Sequence, residues 1–309
     1  MATEAGSLTT APTRPGLWHR AMAGTTGPVI VVVAIIVAIW YCATAAMNIT
    51  AVRDAAERAG TPMDWQQAVT ATMSLDRPLL PAPHQIVAEL DKTVLGVAVT
   101  SKRSLVYHAW ITLSAALVGF CIGTVLGVLL AVLIVHVRTL EMSLMPWIIS
   151  SQTIPILAIA PIVIVVFGSL GIRGTMPKAL ISAYLCFFPV TIGLVKGLTS
   201  PDVLMRELMR TYSATAAQTF WKLRLPAAVP FLFASLKVAV SISLVGAIVA
   251  ELPTGAQAGL GARLLAGSYY GQTVQIWAAL FAAAILAAAL VSLIGAVERL
   301  VGRLMGARS

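Results

Sequence analysis

Charge is what this chain has least of. Only 11% of its 309 residues are Asp, Glu, Lys or Arg, against roughly a quarter in soluble domains. With 59% apolar residues and a mean hydropathy of +0.90, an ordinary soluble domain is excluded and an integral membrane protein is implied. Cysteine is nearly absent too. Cys42, Cys121 and Cys186 all lie in apolar stretches without paired spacing, which excludes a disulfide framework or a cysteine metal site and leaves them as packing residues. A phosphate-binding Gly-Lys-Ser/Thr loop is missing. Its nearest approach, Gly267 to Thr273, lacks the lysine, so the chain does not hydrolyse ATP by that route. There is no helical His-Glu-x-x-His pair and no Gly-x-Ser-x-Gly elbow, hence no catalytic constellation and no metal site. Carboxylates are missing from the span centres, which disfavours proton-driven secondary transport. The net charge of +9 comes from basic residues that border apolar runs. That pattern argues against a nucleic-acid partner.

What remains is a set of long apolar runs. A helix crossing the hydrocarbon core needs about 20 such residues, and six intervals qualify: one between Arg20 and Arg53, densest from Pro28 to Ala46; Ala109 to Val135; a span within Met142 to Ile172; Met176 to about Val195; about Ala227 to Ala250; and one within Gly271 to Val297. The expected class is an all-α membrane protein with about six transmembrane helices. Four regions follow: a disordered cytoplasmic tail (1–26), a first helix with an external segment (27–108), a core (109–301) with a polar loop at 200–226, and a cytoplasmic C-terminal tail (302–309). The first apolar run is longer than that of a cleaved signal, so it reads as an uncleaved helix.

Basic residues near helix ends set the orientation. With both termini inside, the cytoplasmic side holds Arg14, Arg20, Arg138, Lys196, Arg206, Arg210, Lys222, Arg224, Arg299, Arg303 and Arg308, while the short outer loops hold Arg173, Lys178 and Arg263.

Several local features follow from residue spacing. Ile86, Val87, Leu90, Val94 and Leu95 recur at helical spacing within His84 to Val97, which predicts a surface-lying amphipathic helix. His84 and His108 lack a partner cluster and read as interfacial polar residues. Gly119, Gly123 and Gly127 line one face of the second span, a pattern that lets another helix approach closely, within the chain or across a dimer. In the third span Pro146, Pro155 and Pro161 accompany Ser150, Ser151, Gln152 and Thr153. Broken polar backbone is tolerated only against protein or water, so this stretch is a candidate border of a translocation path; the alternative is a plain proline kink with its carbonyls satisfied by hydroxyls. Lys237 falls roughly 16 Å into the fifth span, at 1.5 Å per residue from Pro226. It is a path candidate, or a residue paired for structure. Glu251, at the outer end of the same span, either contributes to gating or is interfacial.

The polar interval from Ser200 to Pro226 is the most informative stretch. An amphipathic helix with exposed aromatics outside the hydrocarbon reads as a docking surface for another protein. It resembles the cytoplasmic signature loop of permease subunits in binding-protein-dependent ABC importers: Glu-Ala-Ala, three residues, Gly, nine residues, Ile, any residue, Leu-Pro. The register is kept by Glu207-Leu208-Met209, Ser213 in the glycine place, and Leu223-Arg224-Leu225-Pro226. The identities depart at Leu208, Met209, Ser213 and Leu223. The resemblance covers about Leu80 to Val301. Leu80 to Pro83, Pro155 to Pro161, Phe167-Gly168 and Phe187 to Gly193 look like the nitrate, sulfonate and taurine branch, while Leu252 to Gly261 and Gly271 to Trp277 are more similar to relatives proposed to carry pyrimidines or riboflavin.

The resemblance implies a type I ABC importer (MetI-like) permease fold in the bacterial inner membrane. It implies three partners: a separate ABC ATPase holding ATP and Mg, an external solute-binding protein, and a second permease subunit, most simply a homodimer. No cofactor is expected on this chain. Glu207, Ser213, Leu223, Leu225 and Pro226 carry the ATPase-coupling role by position in the signature; Phe220 and Trp221 are added as aromatic anchors, the alternative for both being burial against the permease's own helix ends. A channel or secondary carrier with a regulatory-protein docking loop is the competing reading.

Overall fold

The computed structural model describes residues 26–61, 63–253, 256 and 258–306. The expectations for the N-terminal tail, including Arg14 and Arg20, and those for Thr254, Gly255, Gln257 and Arg308 lie outside the described residues. All regular structure among the described residues is helical, in two compact units that divide between Gln85 and Ile86.

The first unit is built on α1 (Thr26–Arg58), whose apolar N-terminal half, including Val29, Ile36 and Ile39, is exposed. At 1.5 Å per residue its 33 residues span about 50 Å, more than a hydrocarbon core of about 30 Å requires. The excess is used. The side chain of Asn48 accepts from Leu79 N (2.7 Å) and donates to Leu80 O (2.8 Å), and Trp40 Nε1 donates to Pro81 O (3.1 Å). These bonds tie the Leu79 to Pro81 segment to the helix. A short helix not anticipated from periodicity, α2 (Trp65–Thr72), packs on α1 with the Arg53 guanidinium 4.9 Å above the Trp65 ring. His84 uses both ring nitrogens, one toward the Tyr41 hydroxyl and one toward Met73 O.

Helix α3 (Pro83–Val94) begins in this unit and runs into the second. Proline at its first turn costs no hydrogen bond. Of the five apolar residues expected to share a stripe, Ile86, Leu90 and Val94, spaced i, i+4 and i+8, pack inward, whereas Val87, one residue and about 100° off that line, and Leu95, past the helix end at Val94, are exposed.

The second unit centres on three long helices, α4 (Leu105–His136), α7 (Thr175–Thr199) and α10 (Leu225–Glu251). Between α4 and α7 lie α5 (Arg138–Ser151) and α6 (Ile156–Ser169); between α7 and α10 lie α8 (Val203–Thr211) and the single turn α9 (Ala216–Thr219); after α10 come α11 (Leu260–Tyr269) and α12 (Thr273–Leu304). The glycine ladder of α4 is what lets α7 come close. A Cβ at Gly119 would meet Ser182 Cβ at 2.4 Å and Ala179 O at 2.5 Å, and one at Gly123 would meet Cys186 Sγ at 2.2 Å. Cys186 is buried there and donates weakly to Gly119 O.

Among the described residues, five helices are long and apolar enough to cross a membrane, or six spans if α5 and α6 count as one. The third span expected within Met142 to Ile172 is broken in two, a pair of helices bent by 96°. The physical reason is Pro155, which has no N–H to donate and takes an extended conformation (φ −62°, ψ 117°) just before α6.

Candidate functional site

The sequence-predicted residues fall into four places within the second unit. The first is the segment after α7. Helix α8 has two faces. Leu204 and Leu208 are exposed on one, 76% for Leu204, whereas Val203, Arg206, Glu207 and Arg210, spaced i, i+3, i+4 and i+7, border a cavity on the other, with only Arg206 half-buried among them. Glu207 pairs with Arg210 at 3.0 Å. The helix ends in a Schellman turn: Ala214 N donates to Met209 O (2.9 Å) and Ser213 N to Arg210 O (2.8 Å). Its left-handed position, φ 51°, is occupied by Ser213, the only non-glycine residue with positive φ among the described residues. The serine that replaces the signature glycine therefore holds the conformation glycine adopts most easily.

Thr215 and Gln218 then form a reciprocal capping box at the start of α9. Phe220–Arg224 is a π-helical turn, so Ala216–Glu251 is one continuous helical run into α10. Pro226, which cannot donate a backbone bond, follows directly. The two aromatic candidates part company at this turn. Phe220 is half-buried against the cluster formed by Ala131, Leu194, Leu198 and Ala228, its ring 5.1 Å from His136, while Trp221 is 65% exposed. Leu223, Leu225 and Pro226 are half-buried.

The second place is the C-terminal end of α10. Glu251, read from the sequence as gating or interfacial, is fully buried. Lys178 Nζ donates to its carboxylate at 3.2 Å, Thr112 Oγ1 at 3.0 Å and Gly261 N at 2.8 Å. Thr112 also accepts from Leu260 N (2.8 Å), and His108 Nδ1 accepts from Gly259 N (2.9 Å), which leaves the proton on Nε2 to be donated to Lys102 O. One carboxylate thus joins α4, α7, α10 and the start of α11. Gly259 is obligatory here: its φ is 131°, and a Cβ would lie 2.2 Å from the Glu251 carboxyl carbon. Lys178, counted above as an outer-loop charge, is a buried ion-pair partner, and His108 is built into the same network. Sequence reading passed over Lys178 and Thr112. The available signal was a lysine at the start of one apolar span and a glutamate at the end of another. A cleft of about 450 Å3 opens beside this cluster, lined by Arg173 and Lys178 together with apolar and small residues.

The third place is Lys237, which donates to Glu298 of α12; both side chains are about one-third exposed. Glu298 went unnoticed because the sixth span was ended at Val297, one residue short. The fourth is the α5–α6 bend. Ser151 Oγ donates to Ile148 O (2.7 Å) and Thr153 Oγ1 to Ser150 O (2.8 Å), while Tyr184 of α7 donates to Ser151 O. These hydroxyls satisfy carbonyls that the break at Pro155 leaves open.

Comparison with known proteins agrees with this architecture. Residues 123–306 match the family described as binding-protein-dependent transport system inner membrane component. The formylaminopyrimidine transport permease protein ThiX of Halalkalibacterium halodurans is 33% identical over 64% of this chain and 73% of its own length. The riboflavin transport system permease protein RibX of Chloroflexus aurantiacus is 31% identical over 77% and 85%. The putative aliphatic sulfonates transport permease protein SsuC of Bacillus subtilis is 28% identical over 72% and 76%. A multi-pass helical bundle, the signature register from Glu207 to Pro226 and a family match over most of the second unit lead to one assignment: this chain belongs to the binding-protein-dependent transport system inner membrane components, the permease subunits of ABC importers.

Proposed function

We propose that this chain forms half of the solute path of an ATP-driven importer in the bacterial inner membrane, with both termini cytoplasmic. An external binding protein delivers the solute, a second copy of the permease completes the path, and a separate ATPase carrying ATP and Mg docks at α8. The observation that carries this reading is the exposed apolar face of α8, set by the Ser213 turn at the head of the continuous run into α10. A helix held that way transmits a push on its outer face to the bundle as a lever does. Leu204, Leu208, Tyr212 and Trp221 supply the exposed docking groups, and Glu207, Ser213, Leu223, Leu225 and Pro226 hold the lever's shape.

The path is assigned to the α5–α6 bend, with Ser150, Ser151, Gln152, Thr153 and Pro155, and to Lys237. Glu251 clamps the outer loop behind it. The solute class is that of the relatives, a pyrimidine- or riboflavin-like compound or a sulfonate, taurine or nitrate.

Proteoliposomes containing this chain, its ATPase and its binding protein loaded with the solute that co-purifies with it should show uptake that needs ATP and is lost on replacing Leu204 and Leu208 by Asp. Solute flux through the chain alone, indifferent to nucleotide, would overturn the reading in favour of a channel or carrier.

A further inference from the structure

The cavity beneath α8 differs in chemistry from the face that α8 turns outward. It has a volume of about 510 Å3 and lies between the cytoplasmic end of α4 and the α8 to π-turn segment. Three arginines, Arg206, Arg210 and Arg224, line it against one glutamate, Glu207. That glutamate is already paired with Arg210, so Arg206 and Arg224 face the cavity with no carboxylate within ion-pair distance among the described residues. Both are half-buried, and Arg206 Nε is cut off from solvent with no hydrogen-bond partner among the described groups. A buried guanidinium N–H left unbonded is costly and uncommon in a folded protein. His136 also lines the cavity, with Nδ1 engaged by Val132 O at 2.7 Å.

From this geometry we infer a binding site for a phosphate-bearing ligand, clamped between Arg206 and Arg224. Guanidinium groups present planar, paired donors that match phosphate oxygens, and several oxygens on one ligand satisfy Arg206 Nε and Arg224 together. Burial separates this site from protein docking: Arg206 and Arg224 are half-buried on the cavity, whereas Leu204 and Leu208, and the Glu207–Arg210 pair beside them, are exposed. The cavity is larger than a bare phosphate requires, so it takes a phosphate with a substituent attached. That substituent is either a lipid, since α4 ends at the cavity with Arg138 two residues beyond His136, or a soluble group. A bound phosphate would cross-link α8 to the π turn and stiffen the lever, giving the ligand control over coupling.

The test uses the full-length chain in nanodiscs and hydrogen exchange of peptides spanning 203–224. In discs of phosphatidylcholine alone, pyrophosphate is added against sodium chloride of equal ionic strength; in a second arm, one lipid in five is phosphatidylglycerol. Slowing of exchange by threefold or more in the pyrophosphate arm identifies a soluble ligand, and slowing only with phosphatidylglycerol identifies a lipid headgroup; either supports the site. The protection should vanish in Arg206→Gln/Arg224→Gln and persist in Lys222→Gln, which removes a nearby positive charge that does not line the cavity. Exchange of α4 and α7 peptides checks that the variants are folded. Absence of protection in both arms, equal loss in Lys222→Gln, or protection only when the ATPase is added would overturn the proposal.

Discussion

Lys178 and Glu251, 73 residues apart in the chain, meet as an ion pair at 3.2 Å with their side chains 9% and 0% exposed. Two charges withdrawn from water are tolerated only when each is fully satisfied, and removing one partner strands the other. Lys178→Met and Glu251→Leu should therefore each cost about 3 kcal/mol or more, while the double variant should lose clearly less than their sum. Thermal unfolding of the four proteins in detergent closes the cycle. Strictly additive losses would mean that the pair contributes nothing as a pair.

Ser213→Gly should stabilise the turn after α8, since an L-residue in the left-handed region pays about 1 kcal/mol that glycine avoids. Slower hydrogen exchange at Ala214 N, whose bond to Met209 O closes the turn, is the readout. Unchanged or faster exchange would show that Ser213 is not strained.

The glycines of the second unit divide into those that touch and those that do not. Gly119→Ala places a methyl 2.4 Å from Ser182 Cβ, so α4 and α7 must separate, at roughly 1–3 kcal/mol. Gly168, in α6, has nothing within 4 Å of the added carbon. Gly168→Ala should be neutral or slightly stabilising, because alanine favours the helix by about 0.5–1 kcal/mol. Equal effects at the two positions would contradict the close approach of α4 to α7.

Adjacent aromatics should give opposite results. Phe220→Ser removes packing against the cluster of Ala131, Leu194, Leu198 and Ala228 and should lower stability by roughly 1–2 kcal/mol. Trp221→Ser should leave the melting curve in place yet reduce ATPase co-purification at least tenfold. Retained co-purification in Trp221→Ser would exclude that ring from the docking surface.

The apolar runs that became α1, α4, α7, α10 and α12 were legible because hydrocarbon tolerates little but continuous hydrophobicity. The register of the signature loop was legible because fixed spacing survives changes of identity, as at Ser213. Direction was not legible. A hydropathy window passes across Pro155 without registering that the chain turns there, and adjacent Phe220 and Trp221 look alike until a π turn sends one inward and leaves the other outside. Nor does spacing betray Lys178 with Glu251, or Lys237 with Glu298, since each pair joins residues of distant spans. The short helix α2 is too brief to establish a period.

The bend at Pro155 has a consequence for the surrounding lipid. At about 1.5 Å per residue, α5 and α6, with 14 residues each, reach roughly 21 Å apiece, short of a hydrocarbon slab of about 30 Å. With axes 96° apart, the pair crosses as one span only if both helices lean by about half a right angle, for a joint reach of about 28 Å. The turn between them then lies near mid-depth, where acyl chains offer no hydrogen bonds. Its N–H groups are already engaged, Thr153 N by Ser150 O and Ile154 N by Ser151 O, so what the turn still asks of neighbouring protein or a thread of water is donors for its carbonyls.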